Sequence, residues 1–437
     1  MSKVEQALKS ASETRELQIG LNILNRVSTM FIEQFPGKKA VIVADTTTYD
    51  VAGKTVSEYL SNAGIAQDKP FVFLDPDLHA EYNYVEQLEQ ILAQTDAIPV
   101  AVGSGTINDL TKLATYHTNR PYCCVATAAS MDGYTAYGAS IIYQGNKQTF
   151  TCPAPQAVLA DIEIIRHAPT EMTAAGYADL FAKIPAGADW ILADELGIEA
   201  IDQTAWSIVQ DGLQEALACP DGARSGEVEA IASLIEGLML GGFAMQWSQT
   251  SRPASGAEHQ FSHLWDMTHH THNGKAPSHG FKVGIATLYI SALYEQLLKH
   301  PVERIDIAAC CDQWPIWEQQ EARAKKMFSG MDFIETVLTE IRAKYITKEA
   351  LSQQLELLKA RWPVIKARLT RQLLPSFEVK RRLQLVGAPV DPEDIGISKE
   401  RLRNSFLQAQ HLRRRFTILD LAVRTTCLDL WLDQVFK

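Results

Sequence analysis

Short unbroken apolar runs alternate with amphipathic stretches over the first third of the chain. Ala40-Val-Ile-Val-Ala44, Phe71-Val-Phe-Leu74, Ile98-Pro-Val-Ala-Val102 and residues 122–127 read as strands, and the first three are followed by helical spacing over 51–63, 82–94 and 108–116. Strands without polar alternation are covered on both faces, and strands separated by helices pair in parallel. Right-handed crossovers then predict an α/β domain with a doubly wound, mostly parallel sheet over 1–165. Residues 140–151 predict a hairpin around Gly145-Asn146, and Pro153 to Pro155 mark a transition. From about residue 170 the period becomes helical, in 175–194 (interrupted at Pro185), 228–247, 283–299 and 334–345. Residues 166–437 are therefore expected to form an all-α domain. The run Gly387-Ala-Pro-Val-Asp-Pro392 reads as a loop between two late helices, with both prolines as breakers.

A chain of 437 residues exceeds one ordinary core, in keeping with two domains. Its formal charge of −11 argues against a general nucleic-acid binder, whose surface must neutralise phosphates. The basic runs Lys380-Arg-Arg382 and Arg413-Arg-Arg415 are expected to be solvated helix faces. Seven cysteines without C-x-x-C spacing fit reduced thiols in a cytoplasmic protein. The start, Met1-Ser-Lys-Val-Glu-Gln, carries charges where a signal peptide needs an apolar run. The best apolar stretch, 234–247, is short and broken by Glu236, so no membrane insertion is expected. A homo-oligomer, by default a dimer, is expected of such a protein.

Three segments then suggest a nucleotide site. In Ala101-Val-Gly-Ser-Gly-Thr-Ile-Asn-Asp109, Gly103 and Gly105 let the backbone turn tightly before a helix whose N–H groups can meet a pyrophosphate. The alternative is a plain strand-to-helix turn capped by Asn108 or Asp109. Asp45 follows the first predicted strand, where an acid can hold ribose hydroxyls and disfavour a 2′-phosphate, or can simply form a turn. Thr127-Ala-Ala-Ser-Met-Asp132-Gly133 puts small hydroxyl residues, Thr127 and Ser130, at the carboxyl edge of the sheet.

Six of eleven histidines fall between His259 and His279. His259 and His263 stand four apart and share a helix face; His279 precedes a new helical pattern; His269, His270 and His272 read as loop or helix-end residues. Asp179 is an acid in an apolar helical segment, which is costly unless it is paired or coordinated. One carboxylate and two imidazoles leave a divalent ion with open positions, whereas the alternative is core histidines with a capping acid. The segment Glu258-His-Gln-Phe-Ser-His263 matches zincin spacing, but Gln260 occupies the place of the general base. An iron oxygenase would suit the ligand types and leave the nucleotide features unexplained.

Taken together, Gly103-Ser-Gly-Thr-Ile-Asn-Asp109, Thr127 to Gly133, Gly176-Tyr-Ala-Asp179, Ser255-Gly-Ala-Glu-His-Gln-Phe-Ser-His263, Ser278-His-Gly280, Leu385-Val-Gly-Ala-Pro389 and Ile395-Gly-Ile397 resemble the iron-containing alcohol dehydrogenase and dehydroquinate synthase-like superfamily. Within it the chain is most similar to the sn-glycerol-1-phosphate dehydrogenase family, in its AraM-like branch. The resemblance implies a dehydroquinate synthase-like fold. It implies NAD or NADP held by Gly103, Ser104, Gly105, Thr106, Asp109, Thr127 and Ser130, with Asp45 as the residue-level candidate for the ribose. It further implies one divalent metal (zinc first, nickel or iron otherwise) on Asp179, His259 and His279, with Asp132 and His263 on a small polyol phosphate. The implied reaction interconverts dihydroxyacetone phosphate and sn-glycerol 1-phosphate. A dehydroquinate-synthase-type cyclase and a non-catalytic metal and nucleotide binder are the alternatives; Asp179 stands where the cyclases use Glu. Two departures concern fine contacts: Ala136 replaces a common hydroxyl near the cofactor, and Phe281 replaces a common Glu after His-Gly.

Overall fold

The computed structural model describes residues 3–437, apart from the side chain of residue 146. The chain folds into two compact units. The first runs to Leu180 and takes in Ser207–Ser251 and Leu385–Gly387; the second holds Phe181–Trp206, Arg252–Gln384 and Ala388–Lys437.

The first unit is built on six parallel strands in the order β1-β8-β5-β4-β2-β3. These are β1 (Glu16–Gly20), β2 (Ala40–Asp45), β3 (Phe71–Phe73), β4 (Ile98–Gly103), β5 (Cys123–Ala126) and β8 (Ala157–Asp161), while β6 (Ala139–Tyr143) and β7 (Asn146–Phe150) form the antiparallel hairpin the sequence predicts. The expected strands at 40, 71, 98 and 122 are all present, and β1 and β8 are two more. Val41, Ile42, Val43, Val100, Ala101, Val102, Val125 and Leu159 are at most 1 % exposed, as a sheet covered on both faces requires. Val27, Met30, Phe31, Val56 and Leu60 from the flanking helices pack on one of those faces. From β2 the chain goes outward to β3 and then back across β2 to β4, so the order of the sheet reverses between β2 and β4.

One helix among the described residues, Val228–Ser248, has the length and apolar composition to cross a membrane, and 67 % of its apolar window is buried. It is bonded along its length to the rest of the first unit. Thr135 Oγ1 donates to the Met239 carbonyl at 2.7 Å, and Gln246 donates to Thr14 Oγ1 at 2.8 Å. Such burial and bonding belong to a core helix.

The second unit is helical throughout. The Lys183–Glu195 helix is its axis, with every residue buried except Asp194. Pro185 falls in the first turn of that helix, where its missing N–H has no intrahelical partner to lose; the expected interruption is this helix start. The Ala257–Met267 helix packs on it and on the His279–Lys299 helix, and Lys348–Gln372 lies along its other side through Arg361–Glu195 and Arg368–Asp194 ion pairs. Of the two basic runs, Arg381 and Arg382 sit on the Ser376–Val386 helix, each paired with Glu378. The run 413–415 is not helical, contrary to expectation. There Arg414 pairs with Glu340 and Arg415 donates to the Ser255 carbonyl, so side-chain bonds to other segments hold this stretch in place of a helical ladder.

Candidate active site

The reversal between β2 and β4 puts Asp45 and Gly103, the last residues of those strands, at the carboxyl edge where open parallel sheets take their ligands. A Cβ on Gly103 would lie 2.5 Å from Ile107 Cβ, so only glycine lets the strand turn this closely into the Gly105–His117 helix. That helix begins three residues before the predicted 108. Neither Asn108 nor Asp109 caps it; Ser104 is the N-cap and makes no side-chain capping bond. Asn108 is buried within the first unit, donating to the Gly133 carbonyl and accepting from the Tyr122 hydroxyl. Gly105 and Thr106 therefore open a helix whose first N–H groups, with the dipole behind them, form the feature an anion requires.

Asp45 accepts from the Thr48 N–H at 2.7 Å through Oδ1 and closes a capping box with the Thr48 hydroxyl, so one oxygen already has local work. Asp109 faces away from the turn: Oδ2 accepts from the Ser140 N–H at 3.1 Å, and Oδ1 lies 3.8 Å from Lys112. Burial raises its pKa, against the lowering pull of Lys112. Sequence reasoning overlooked Lys112, which is fully buried and donates to the carbonyls of Gly133, Ala136 and Gly138 at 2.8–3.0 Å. Its one sequence signal was a cation on the apolar side of a helix, three residues after an acid.

Lys112 thereby ties down the segment that follows β5. Thr127 begins it, its N–H on the Gly103 carbonyl, and the Tyr134 hydroxyl, beside Ser130, donates to Ala128. The Thr170–Phe181 helix presses on this loop at Gly176, where a Cβ would lie 2.0 Å from the Ala129 carbonyl oxygen. Three residues further on, Asp179 is buried, and its Oδ2 accepts the Asp132 N–H at 3.1 Å.

His259 lies in the first turn of the Ala257–Met267 helix, and half-buried His263 follows one turn later. His279 opens the next long helix behind Ser278, which caps it by accepting from the Phe281 N–H. The rings of His259 and His279 have centroids 5.3 Å apart. Nδ1 of His259 is 2.8 Å from Glu258 Oε1, and Nδ1 of His279 is 3.1 Å from the Ser262 hydroxyl. With Nδ1 so engaged on both rings, a metal would be met by Nε2. Two imidazoles so placed suit a divalent ion that keeps positions open for further ligands.

The other histidines of the cluster have structural work. His269 turns the chain with φ 50°, and His270 bonds the Ile395 carbonyl through Nε2 and takes Arg401 on Nδ1. Beneath His259 lies a buried polar group the sequence did not reveal. Asp189 accepts from the N–H groups of Ala257 and Ile418 and from the Tyr294 hydroxyl at 2.6–2.8 Å. Burial first, and then the charge of Glu258, push its carboxyl up to about 7.

A family profile described as iron-containing alcohol dehydrogenase matches residues 18–169. A glycerol-1-phosphate dehydrogenase, NAD(P)+, of Halalkalibacterium halodurans is 35 % identical over 297 residues, 67 % of this chain and 73 % of that one. The enzyme of the same description from Geobacillus thermodenitrificans is 30 % identical over 387 residues, 87 % and 86 % of the two chains. Among solved structures, glycerol dehydrogenase of Schizosaccharomyces pombe superposes with a TM-score of 0.60 at 16 % identity, over 97 % of this chain and 93 % of its own, a likeness of fold.

Proposed function

This chain belongs to the glycerol-1-phosphate dehydrogenase family, and on that premise we propose that it interconverts dihydroxyacetone phosphate and sn-glycerol 1-phosphate, with NAD(P) carrying the hydride. The observation that carries the reading is the pairing of the His259 and His279 rings, 5.3 Å apart between centroids, which supports a divalent-metal site to which Asp179 is assigned as the third ligand. Bound there, the cation supplies a Lewis acid for the substrate carbonyl and the charge that grows on its oxygen.

The chain's own residues do the rest. The Asp132 N–H orients the Asp179 carboxylate, and Asp132 and His263 are assigned to the substrate, with His263 moving the proton at the reacting oxygen. Gly103, Ser104, Gly105 and Thr106 are assigned to the pyrophosphate, Thr127 and Ser130 to the nicotinamide half, and Asp45 to the adenosine ribose. Lys112 keeps the loop carrying Asp132 in one shape, so that hydride donor and acceptor need not be aligned anew in each cycle. Zinc, nickel and ferrous iron all suit the donor set; elemental analysis of the purified protein identifies which is held. Seven cysteines without a disulfide suit a reducing compartment, and we place the enzyme in the cytoplasm.

The test is NADH oxidation by purified protein with dihydroxyacetone phosphate, with and without chelator. Turnover beyond one NADH per enzyme that stops on chelation is expected, and it also excludes a cycle that regenerates its own NAD. NADH binding without oxidation under any of the three metals would refute the proposal.

A further inference from the structure

His259 has a neighbour whose placement is hard to explain by stability. Glu258 is fully buried, one residue before His259 in the first turn of the Ala257–Met267 helix. Its Oε1 takes both Nδ1 of His259 at 2.8 Å and the Gly256 N–H at 2.7 Å. Its Oε2 is buried without a hydrogen-bond partner among the described residues. The second oxygen lies close to another carboxylate, because a Cβ on Gly256 would be 2.6 Å from Asp189 Oδ2 and 2.8 Å from Glu258 Oε2. An acid buried with one oxygen unsatisfied, facing a second acid, costs folding energy. A carboxylate favours a helix N-terminus, but a neutral acceptor would meet the Gly256 N–H without a buried charge. What only an acid in this place supplies is a strong acceptor for the ring N–H of His259.

We infer that Glu258 is a positioning residue: it fixes the tautomer and orientation of His259, so that this ring meets a divalent cation through Nε2. A carboxylate on the distal ring nitrogen holds a ligating imidazole with its lone pair forward and raises its basicity. The same carboxylate is held in turn by the Gly256 N–H, and the Ser255 carbonyl one residue earlier by Arg415. The loop entering the helix, the acid and the ring thus form one chain of bonds ending at the ligand nitrogen. His279 meets a neutral hydroxyl, that of Ser262, at its Nδ1. The two imidazoles are therefore unequal, His259 being the more basic donor. The inference rests on the reading of His259 as a metal ligand.

The experiment is cobalt(II) affinity of the metal-stripped full-length protein by equilibrium dialysis, with the visible cobalt spectrum and the melting point of the stripped protein. The proteins are wild type, E258Q, E258L and H259A. E258L should bind cobalt about 10–100-fold more weakly with an altered spectrum. E258Q, whose amide oxygen can still accept from Nδ1–H but carries no charge, should recover only part of that loss. A role confined to capping the helix predicts a lower melting point with affinity and spectrum unchanged; that result, or wild-type affinity in E258L, overturns the inference. If E258L does not fold, E258D, with the same charge one methylene short of the ring, carries the test, and wild-type affinity there overturns it equally. Equal cobalt binding by wild type and H259A would instead remove the ligand assignment itself.

Discussion

Replacing Gly176 by alanine adds one methyl group and should damage both the stability and the chemistry of this protein. At that position the Thr170–Phe181 helix meets the loop after β5 backbone to backbone. The new Cβ would stand 2.0 Å from the Ala129 carbonyl oxygen, 2.7 Å from its carbon and 3.1 Å from Ser130 Cα. Ordinary contact begins near 3.4 Å, so helix and loop must part by about 1.4 Å, with no flexible side chain available to yield. Overpacking of this kind costs about 1–3 kcal/mol. The functional loss should be larger. Asp179 lies on that helix three residues later and takes the Asp132 N–H at 3.1 Å, a bond that a shift of half that size breaks. Displacing a ligand or substrate-positioning group by about 1 Å costs on the order of 10²-fold in rate. Urea denaturation of G176A should show a lower midpoint, and NADH oxidation with dihydroxyacetone phosphate should fall by about that factor, with less bound metal. A variant with wild-type midpoint, metal content and turnover would show that the contact at Gly176 does not position Asp179.

Other residues give separate tests. Asp45→Asn keeps an N-cap side chain but removes the charge assigned to the ribose, so the preference for NAD over NADP should fall about tenfold in kcat/KM; an unchanged ratio would limit Asp45 to its capping box. Lys112→Met leaves three buried carbonyls without their ammonium and should cost about 3–5 kcal/mol, read as a lower urea midpoint. No shift would mean that water or the backbone replaces it. His411 is buried, which pushes its pKa down to about 4. Between pH 6.5 and 4 the unfolded imidazole takes a proton that the folded one refuses, so stability falls as pH falls through that window. His411→Gln should therefore lose about 2 kcal/mol less than wild type between pH 6.5 and 5, by urea titration at both values. Parallel losses would refute the burial of a neutral ring.

The central strands could be read in the sequence because burial on both faces leaves them no polar positions; β2, β4 and β5 are almost wholly aliphatic or small. The strand β1 could not. Its residues, Glu16-Leu-Gln-Ile-Gly20, are half-buried at the edge of the sheet, where Glu16 and Gln18 can bond each other. The strand β8 is fully buried, but a four-residue apolar run behind two prolines carries no period that tells strand from coil until β5 and β1 stand on either side of it. The site shows the same limit. Asp179 stands out in the sequence as an acid in an apolar helix, and Asp189, ten residues later, is equally one. They differ in their partners: two backbone N–H groups and a tyrosine surround Asp189, whereas the Asp132 N–H bonds Asp179. Glu258 was visible as a letter next to a histidine, but its bond to the ring depends on a rotamer.

The first strand of the chain has its ladder partner at the far end of the sheet's sequence: among the described residues, 16–20 pair with 157–161. During synthesis at roughly 5–20 residues per second, that early segment emerges about 10–30 s before anything can receive it. Until then its backbone groups and those of the incoming β5 edge are open to other chains, and helpers that shield nascent polypeptide would find their longest task here. A ribosome stalled before residue 157 should therefore display a sticky, protease-sensitive fragment rather than a half-finished nucleotide fold.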